Sequence, residues 1–222
     1  MNSREKLVEL HGITARSDAG YIVFRNLDFT LTAGETAVIR GATGSGKTAL
    51  AEIIVGRRQP ESGTVSLFGN ILTPRNSVIL RQTRRRIGGV GGIFSLIERL
   101  TVAENILYPL LIRGDARSFI RTRLQQVLLQ FNLAGRRAVR VSALSRGEKL
   151  MVMFARAIIA DQPLLLIDEP LELLEQPRFD ETTNILKRLS AAGHTLLILT
   201  SGQKTITVPG AREYQLSEGQ LQ

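Results

Sequence analysis

The run Gly41-Ala42-Thr43-Gly44-Ser45-Gly46-Lys47-Thr48 constrains this 222-residue chain more than any other segment. A strand pattern, Thr36 to Arg40, precedes it, and a helical pattern, Thr48 to Val55, follows and stops at Gly56. Glycines in a strand-to-helix turn let the backbone wrap until several N–H groups converge on one anion. The following helix adds the positive end of its dipole at the same point. Lys47 brings a cation within reach of β- and γ-phosphates, and the Thr48 hydroxyl offers an oxygen ligand to Mg²⁺.

Leu164 to Ile167 is a short apolar run that ends in Asp168 and Glu169. In an open α/β sheet ligands gather at the carboxyl ends of the strands, so an acid there faces the same edge as the glycine-rich turn. Asp168 is expected to hold the metal, and Glu169 to orient and deprotonate an attacking water. The joint pattern predicts nucleotide binding.

The rest of the chain alternates in type. Leu7 to Ile13 and Tyr21 to Leu31 read as strands, with a turn at Asp18, Ala19 and Gly20. Thr64 to Phe68 is another strand. Gly88-Gly89-Val90-Gly91-Gly92 places four glycines in five positions, which argues against helix. Val102 to Leu111 and Ser118 to Phe131 have apolar residues at helical spacing, and Leu144 to Ile159 reads as one long helix. Phe179 to Ala191 is a helix, Thr195 to Thr200 a buried strand, and Tyr214 to Gly219 a terminal hairpin signal. Strands alternating with helices imply a mainly parallel sheet.

Composition excludes several chemistries. There is no cysteine, which removes thiol catalysis, disulfides and thiolate-bound zinc. The only histidines, His11 and His194, stand far apart, so a histidine-rich metal site is not expected. No apolar run is long enough to cross a bilayer. The net charge of +9 favours polyanions or an anionic surface.

With these motifs in hand, the chain resembles the nucleotide-binding subunit of ATP-binding cassette (ABC) transporters. The phrases that carry the resemblance include Pro60-Glu61-Ser62-Gly63, Leu100-Thr101-Val102-Ala103-Glu104-Asn105 and Asp161-Gln162-Pro163. The most specific is Leu144-Ser145-Arg146-Gly147-Glu148, which looks like the family signature LSGGQ. The style is that of the lipoprotein-release, macrolide-export and cell-division branch.

The resemblance implies an α/β P-loop NTPase core with an N-terminal antiparallel β subdomain and an inserted helical subdomain. The core would comprise residues 1–92 and 158–222, with the helical part at 93–157. It implies binding of ATP and Mg²⁺ by Gly41, Ala42, Thr43, Gly44, Ser45, Gly46, Lys47, Thr48 and Ala49, with the metal at Thr48 and Asp168. Glu169 and Lys47 would be catalytic. Ser145 and Gly147 would meet the γ-phosphate held by a second nucleotide-binding subunit paired head to tail. A transmembrane permease is the other implied partner, with the chain cytoplasmic at the membrane's inner face.

Several positions depart from the family pattern. The glutamine expected after the strand entering the helical part aligns with Gly92, and the histidine after the last strand with Ser201. The adenine-stacking aromatic aligns with Ser17, with Tyr21 close by as a substitute. The usual Thr-Gly after Asp-Glu-Pro is Leu171-Glu172, the Asp of the next loop is Glu175, and Arg146 replaces the first glycine of the signature. Losing one positioned catalytic group costs on the order of 10²- to 10³-fold in rate, so slow or partner-dependent hydrolysis is expected. The resemblance implies that the stretch at 88–92 couples nucleotide to the membrane subunit, so its four glycines read either as a loosened hinge or as a tolerated loop in a diverged relative.

Arg84, Arg85 and Arg86, with Arg113, Arg117, Arg121, Arg123, Arg136, Arg137 and Arg140, form a basic surface. Solvent, anionic lipid or an acidic segment of a membrane partner could face it. Few aromatics and no reading module argue against nucleic acid. Two rivals to the transport ATPase stay open: a nucleotide-gated scaffold, and a soluble cassette acting on nucleic acid.

Overall fold

The computed structural model describes residues 5–17, 19–168, 174–202, 204 and 206–222. In chain order the elements are β1 (Lys6–Arg16), β2 (Ile22–Thr32), β3 (Thr36–Arg40), α1 (Lys47–Ile54), β4 (Ser62–Leu67), β5 (Asn70–Ile71), α2 (Ser77–Arg85), β6 (Ile87–Gly91), α3 (Val102–Arg113), α4 (Arg117–Gln130), α5 (Arg146–Ile158), β7 (Leu164–Asp168), α6 (Gln176–Ala191), β8 (Thr195–Thr200), β9 (Arg212–Ser217) and β10 (Gln220–Leu221).

Two sheets result. The smaller is antiparallel, in the order β2-β1-β4-β5. The larger runs β10-β9-β3-β8-β7-β6, parallel from β9 to β6, with β10 antiparallel at its edge. The α/β class and the antiparallel N-terminal sheet are as expected.

Packing explains why the central strands are apolar without a break. Side chains alternate between the two faces of a strand, and here both faces are covered. Ala37, Ile39, Leu164, Leu166, Leu197 and Leu199 point into a core shared with α1 and the small sheet. Val38, Leu165, Ile167, Leu196 and Ile198 point into a second core built with α3, α4, α5 and α6. A parallel sheet buried on both sides needs this pattern.

The glycine-rich segment is a correction. Ile87–Gly91 is not a slack hinge but the edge strand of the large sheet, in register with β7 from Ile87 opposite Leu164 to Gly91 opposite Asp168. A Cβ on Gly88 would lie 2.2 Å from the Ala157 carbonyl oxygen, and one on Gly89 would lie 2.0 Å from the Phe94 ring. The glycines let α5 and Phe94 press directly on the strand. The signature helix also starts later than expected: Leu144 is extended, Ser145 caps it, and α5 begins at Arg146. The helix expected from Phe179 begins earlier, at Gln176.

Gly88→Val should therefore force α5 off the sheet. Overpacking of this kind costs about 1–3 kcal/mol, so thermal unfolding should show a midpoint lower by several degrees; an unchanged midpoint would contradict the close-packing role.

Candidate functional site

Strand register brings the site together. Across the parallel strands Gly91 lies opposite Asp168, Asp168 opposite Leu199, Leu199 opposite Ile39, and Ile39 opposite Tyr214. One row of the sheet thus sets the level from which Gly92, Asp168, Ser201 and the loop at Gly41 leave. A backbone bond ties two of these exits, with Gly41 N donating to the Thr200 carbonyl at 3.1 Å.

The loop from Gly41 to Gly46 is tight. Ser45 N donates to the Ala42 carbonyl at 3.0 Å. Gly46 caps α1 with φ of 103°, a left-handed conformation that side chains resist, and a Cβ there would strike Val23 at 2.5 Å. Gly41 is equally confined, since its Cβ would lie 2.5 Å from Ser45 Oγ. Ser45 Oγ is itself buried with no hydrogen-bond partner among the described residues. A buried hydroxyl without a partner costs free energy unless something arrives to accept its proton.

Lys47, the first residue of α1, is only 3% exposed. Its Nζ donates to the carbonyls of Gly41 (2.7 Å) and Ala42 (2.9 Å), so the ammonium sits in the mouth of the loop. These acceptors are neutral, and a charged phosphate oxygen makes a hydrogen bond about twice as strong. Thr48 follows on α1, and Ala49 packs against the core beneath the loop.

Asp168 ends β7 and is 1% exposed. Its carboxylate lies over Gly92, whose φ is +44°. A Cβ at 92 would fall 1.8 Å from Asp168 Oδ2. With Asp168 in this conformation only glycine fits, so the departure at position 92 belongs to the geometry of the carboxylate. Glu169 lies outside the described residues, as do Leu171 and Glu172. Glu175 is the N-cap residue of α6 and makes no side-chain cap bond.

The signature phrase has a local physical reason. The Ser145 hydroxyl accepts from the Glu148 N–H at 3.3 Å, and the Glu148 carboxylate accepts from the Ser145 N–H at 2.9 Å, a reciprocal cap that fixes the start of α5. Arg136 Nε donates to Glu148 Oε1 at 3.0 Å. Thr101 and Glu104 cap α3 in the same way, and buried Asn105 braces the turn before it through Ile97 and Thr101. Gly147 is different from the packed glycines: a Cβ there would meet nothing nearer than Arg178 at 3.5 Å. Among the described residues nothing requires a glycine at that position.

Beside the loop a cleft of about 840 Å³ opens, lined in part by Ser17, Tyr21, Val23, Arg25, Gly44 and Ser45. Tyr21 is 76% exposed. His11 is a surface residue of β1 near Glu9 and Asp28, and His194 precedes β8, so neither joins the site.

The ABC transporter family model matches residues 24–172, more than half of the chain, and spans both the loop and the acid-tipped strand. The chain belongs to the ABC transporter family. This cassette is 30% identical over 219 residues to the probable syringafactin export ATP-binding/permease protein SyfD of Pseudomonas syringae pv. syringae, covering 97% of this chain and 33% of SyfD. It is 30% identical over 196 residues to the lipoprotein-releasing system ATP-binding protein LolD of Chromohalobacter salexigens, covering 88% of this chain and 83% of LolD. The solved dimer of the ATP-binding cassette MJ0796 in a post-hydrolysis state, bound to ADP and Pi, shares its fold with a TM-score of 0.85 at 26% identity, covering 97% of each chain. The cassette spans about a third of the length of the export ATP-binding/permease relatives. No described helix is long and apolar enough to cross a membrane.

Hydrogen bonds from the Ser145 backbone, then from its hydroxyl and from Arg136, hold the Glu148 carboxyl below the usual carboxylate range. A lowered folded pKa adds stability above the unfolded value and loses it as pH falls through the folded one. Glu148→Ala should cost about 0.3–1 kcal/mol near neutrality, the range for an exposed charge in a first helical turn. In denaturant titrations that difference from the parent should shrink in acid. A difference that grew in acid would contradict the capping role.

Proposed function

We propose that this cassette binds MgATP in the loop from Gly41 to Thr48 and hydrolyses it slowly, as the energy-coupling subunit of an exporter or membrane-remodelling complex. The observation that carries the reading is the common exit level of the phosphate loop and Asp168. It brings the glycine-rich loop and a buried carboxylate to one edge of the sheet.

The residues fit the two groups. Thr48 and Asp168 are hard oxygen donors of the kind Mg²⁺ takes, while the orphaned Ser45 hydroxyl and the loop amides suit phosphate oxygens. Bound there, Mg²⁺ would neutralise charge on the β- and γ-phosphates. Lys47 would leave the Gly41 and Ala42 carbonyls for the phosphate chain. Exposed Tyr21, at the cleft beside Gly44 and Ser45, would offer the adenine a flat apolar face in place of Ser17. Glu169 would take a proton from the attacking water.

Ser145 and Gly147, at the start of α5, would face the γ-phosphate held by a second nucleotide-binding subunit. The unforced glycine at 147 supports an outer surface approaching there. Arg146, beside it, would meet the same partner. Slow turnover follows from Gly92 and Ser201, where the family's glutamine and histidine are absent. Residues 93–157 would form the helical subdomain and residues 1–92 and 158–222 the core. The name of SyfD, an export ATP-binding/permease protein, supports a membrane permease as partner. A chain held beneath such a permease would sit on the cytoplasmic face of the membrane.

Lys47→Ala should weaken binding of a fluorescent ATP analogue by on the order of 10²-fold or more, as expected when a charge-assisted phosphate contact is lost. Undiminished binding would refute the phosphate site. The parent chain alone should release phosphate far more slowly than an ordinary cassette. Ordinary turnover would refute the slow-hydrolysis reading.

A further inference from the structure

The last two strands are joined by a two-residue hairpin. β9 and β10 pair antiparallel with Ser217 opposite Gln220, so the loop between them is Glu218-Gly219. Both residues are left-handed, with φ of 51° and 80°. A two-residue hairpin loop favours this conformation because it matches the twist of the strands, and Asn-Gly or Asp-Gly adopts it with least strain. Glutamate is a poorer fit to such a turn than either. A residue that resists its own backbone conformation points to a use outside the turn.

The turn is pinned beside the phosphate loop. Arg25 N, on β2, donates to the Gly219 carbonyl at 2.9 Å. A Cβ on Gly219 would lie 3.0 Å from the Val23 carbonyl oxygen, and one on Gly46 would lie 2.5 Å from the Val23 side chain. A Cβ on Gly41 would lie 2.9 Å from the Leu216 carbonyl oxygen of β9. The turn and the start of α1 therefore both press on Val23, and β9 presses on the loop itself.

Glu218 lines the cleft of about 840 Å³ together with Tyr21, Arg25, Gly44 and Ser45. It is exposed, and among the described residues nothing bonds its carboxylate. Arg25 supplies a cation in the same cleft, which offsets part of the repulsion between a carboxylate and a phosphate chain.

The order of groups along the cleft decides what the carboxylate meets. Gly44 and Ser45 are the phosphate end. Tyr21, just before β2, is the aromatic end. Val23 lies two residues further along the chain, against Gly46, and the turn rests on it. Glu218 thus stands between the aromatic and the loop. The part of a nucleotide between base and phosphates is the ribose, whose 2′ and 3′ hydroxyls can both donate to one carboxylate.

We propose that Glu218 is a specificity-determining residue of the nucleotide site, its carboxylate accepting hydrogen bonds from the ribose 2′ and 3′ hydroxyls. The proposal rests on the reading of MgATP in the loop above. It adds a selection that a loop touching only phosphates cannot make.

Calorimetric titration of the full chain with ATP, 2′,3′-dideoxy-ATP and tripolyphosphate, each with Mg²⁺, tests it. The parent should bind ATP on the order of tenfold tighter than dideoxy-ATP, as expected for hydrogen bonds to a charged group. Glu218→Asn shortens the side chain by one methylene and removes its charge, but tolerates the left-handed backbone better. It should unfold at no lower a temperature than the parent and bind ATP no better than dideoxy-ATP. Its affinities for dideoxy-ATP and tripolyphosphate should be unchanged. Equal affinity of the parent for ATP and dideoxy-ATP would overturn the proposal, as would a preference that survives in the variant. So would a variant that weakens all three ligands together, since that marks a purely structural turn. The two readings fail distinguishably. A parent chain that binds neither ATP nor tripolyphosphate would sink the phosphate site and this proposal with it. One that binds ATP and dideoxy-ATP alike would sink this proposal alone.

Discussion

The site depends on the register of a parallel sheet. Five strands leave the interior at one level because Gly91, Asp168, Leu199, Ile39 and Tyr214 form a single row. A slip of one residue in any strand would turn its core residues to the opposite face. Leu165 and Leu166, which feed separate cores, hold β7 in place, and the pairs Leu196 with Leu197 and Val38 with Ile39 do the same for β8 and β3. The hydrophobic pattern that folds the sheet is thus also what brings the carboxylate to the same sheet edge as the loop. Stability and site geometry share one cause.

What the sequence disclosed was local. The phosphate loop, the acid at the end of a strand and the capping phrases at Thr101 and Ser145 are each legible because their chemistry lies within a few neighbouring residues. The glycines at 88–92 were not. Their composition points to slackness, yet the reason for each lies elsewhere in the chain: the Ala157 carbonyl for Gly88, the Phe94 ring for Gly89 and the Asp168 carboxylate for Gly92. Composition alone cannot distinguish a glycine that permits motion from one that permits contact. The place of the Glu218 turn was also hidden. The cleft it lines is built from three separated stretches, around residues 17–25, 44–45 and 218–220, and only folding joins them.

The departures from the family pattern therefore have different weights. Gly92 is tied to the conformation of Asp168 and cannot be changed to a larger residue without moving that carboxylate. Tyr21 stands exposed where a cleft meets the loop. Gly147 matches the family signature although nothing among the described residues packs against it closely enough to demand a glycine. These are the positions on which the proposal of slow hydrolysis with retained nucleotide binding rests.

The most direct test is a crystal structure of the chain grown with Mg²⁺ and a non-hydrolysable ATP analogue. The account predicts a triphosphate wrapped by the amides of residues 41–48, with Lys47 withdrawn from the Gly41 and Ala42 carbonyls. It also predicts a metal between Thr48 and Asp168. An empty loop with Lys47 still on those carbonyls, at analogue concentrations that saturate other cassettes, would contradict it.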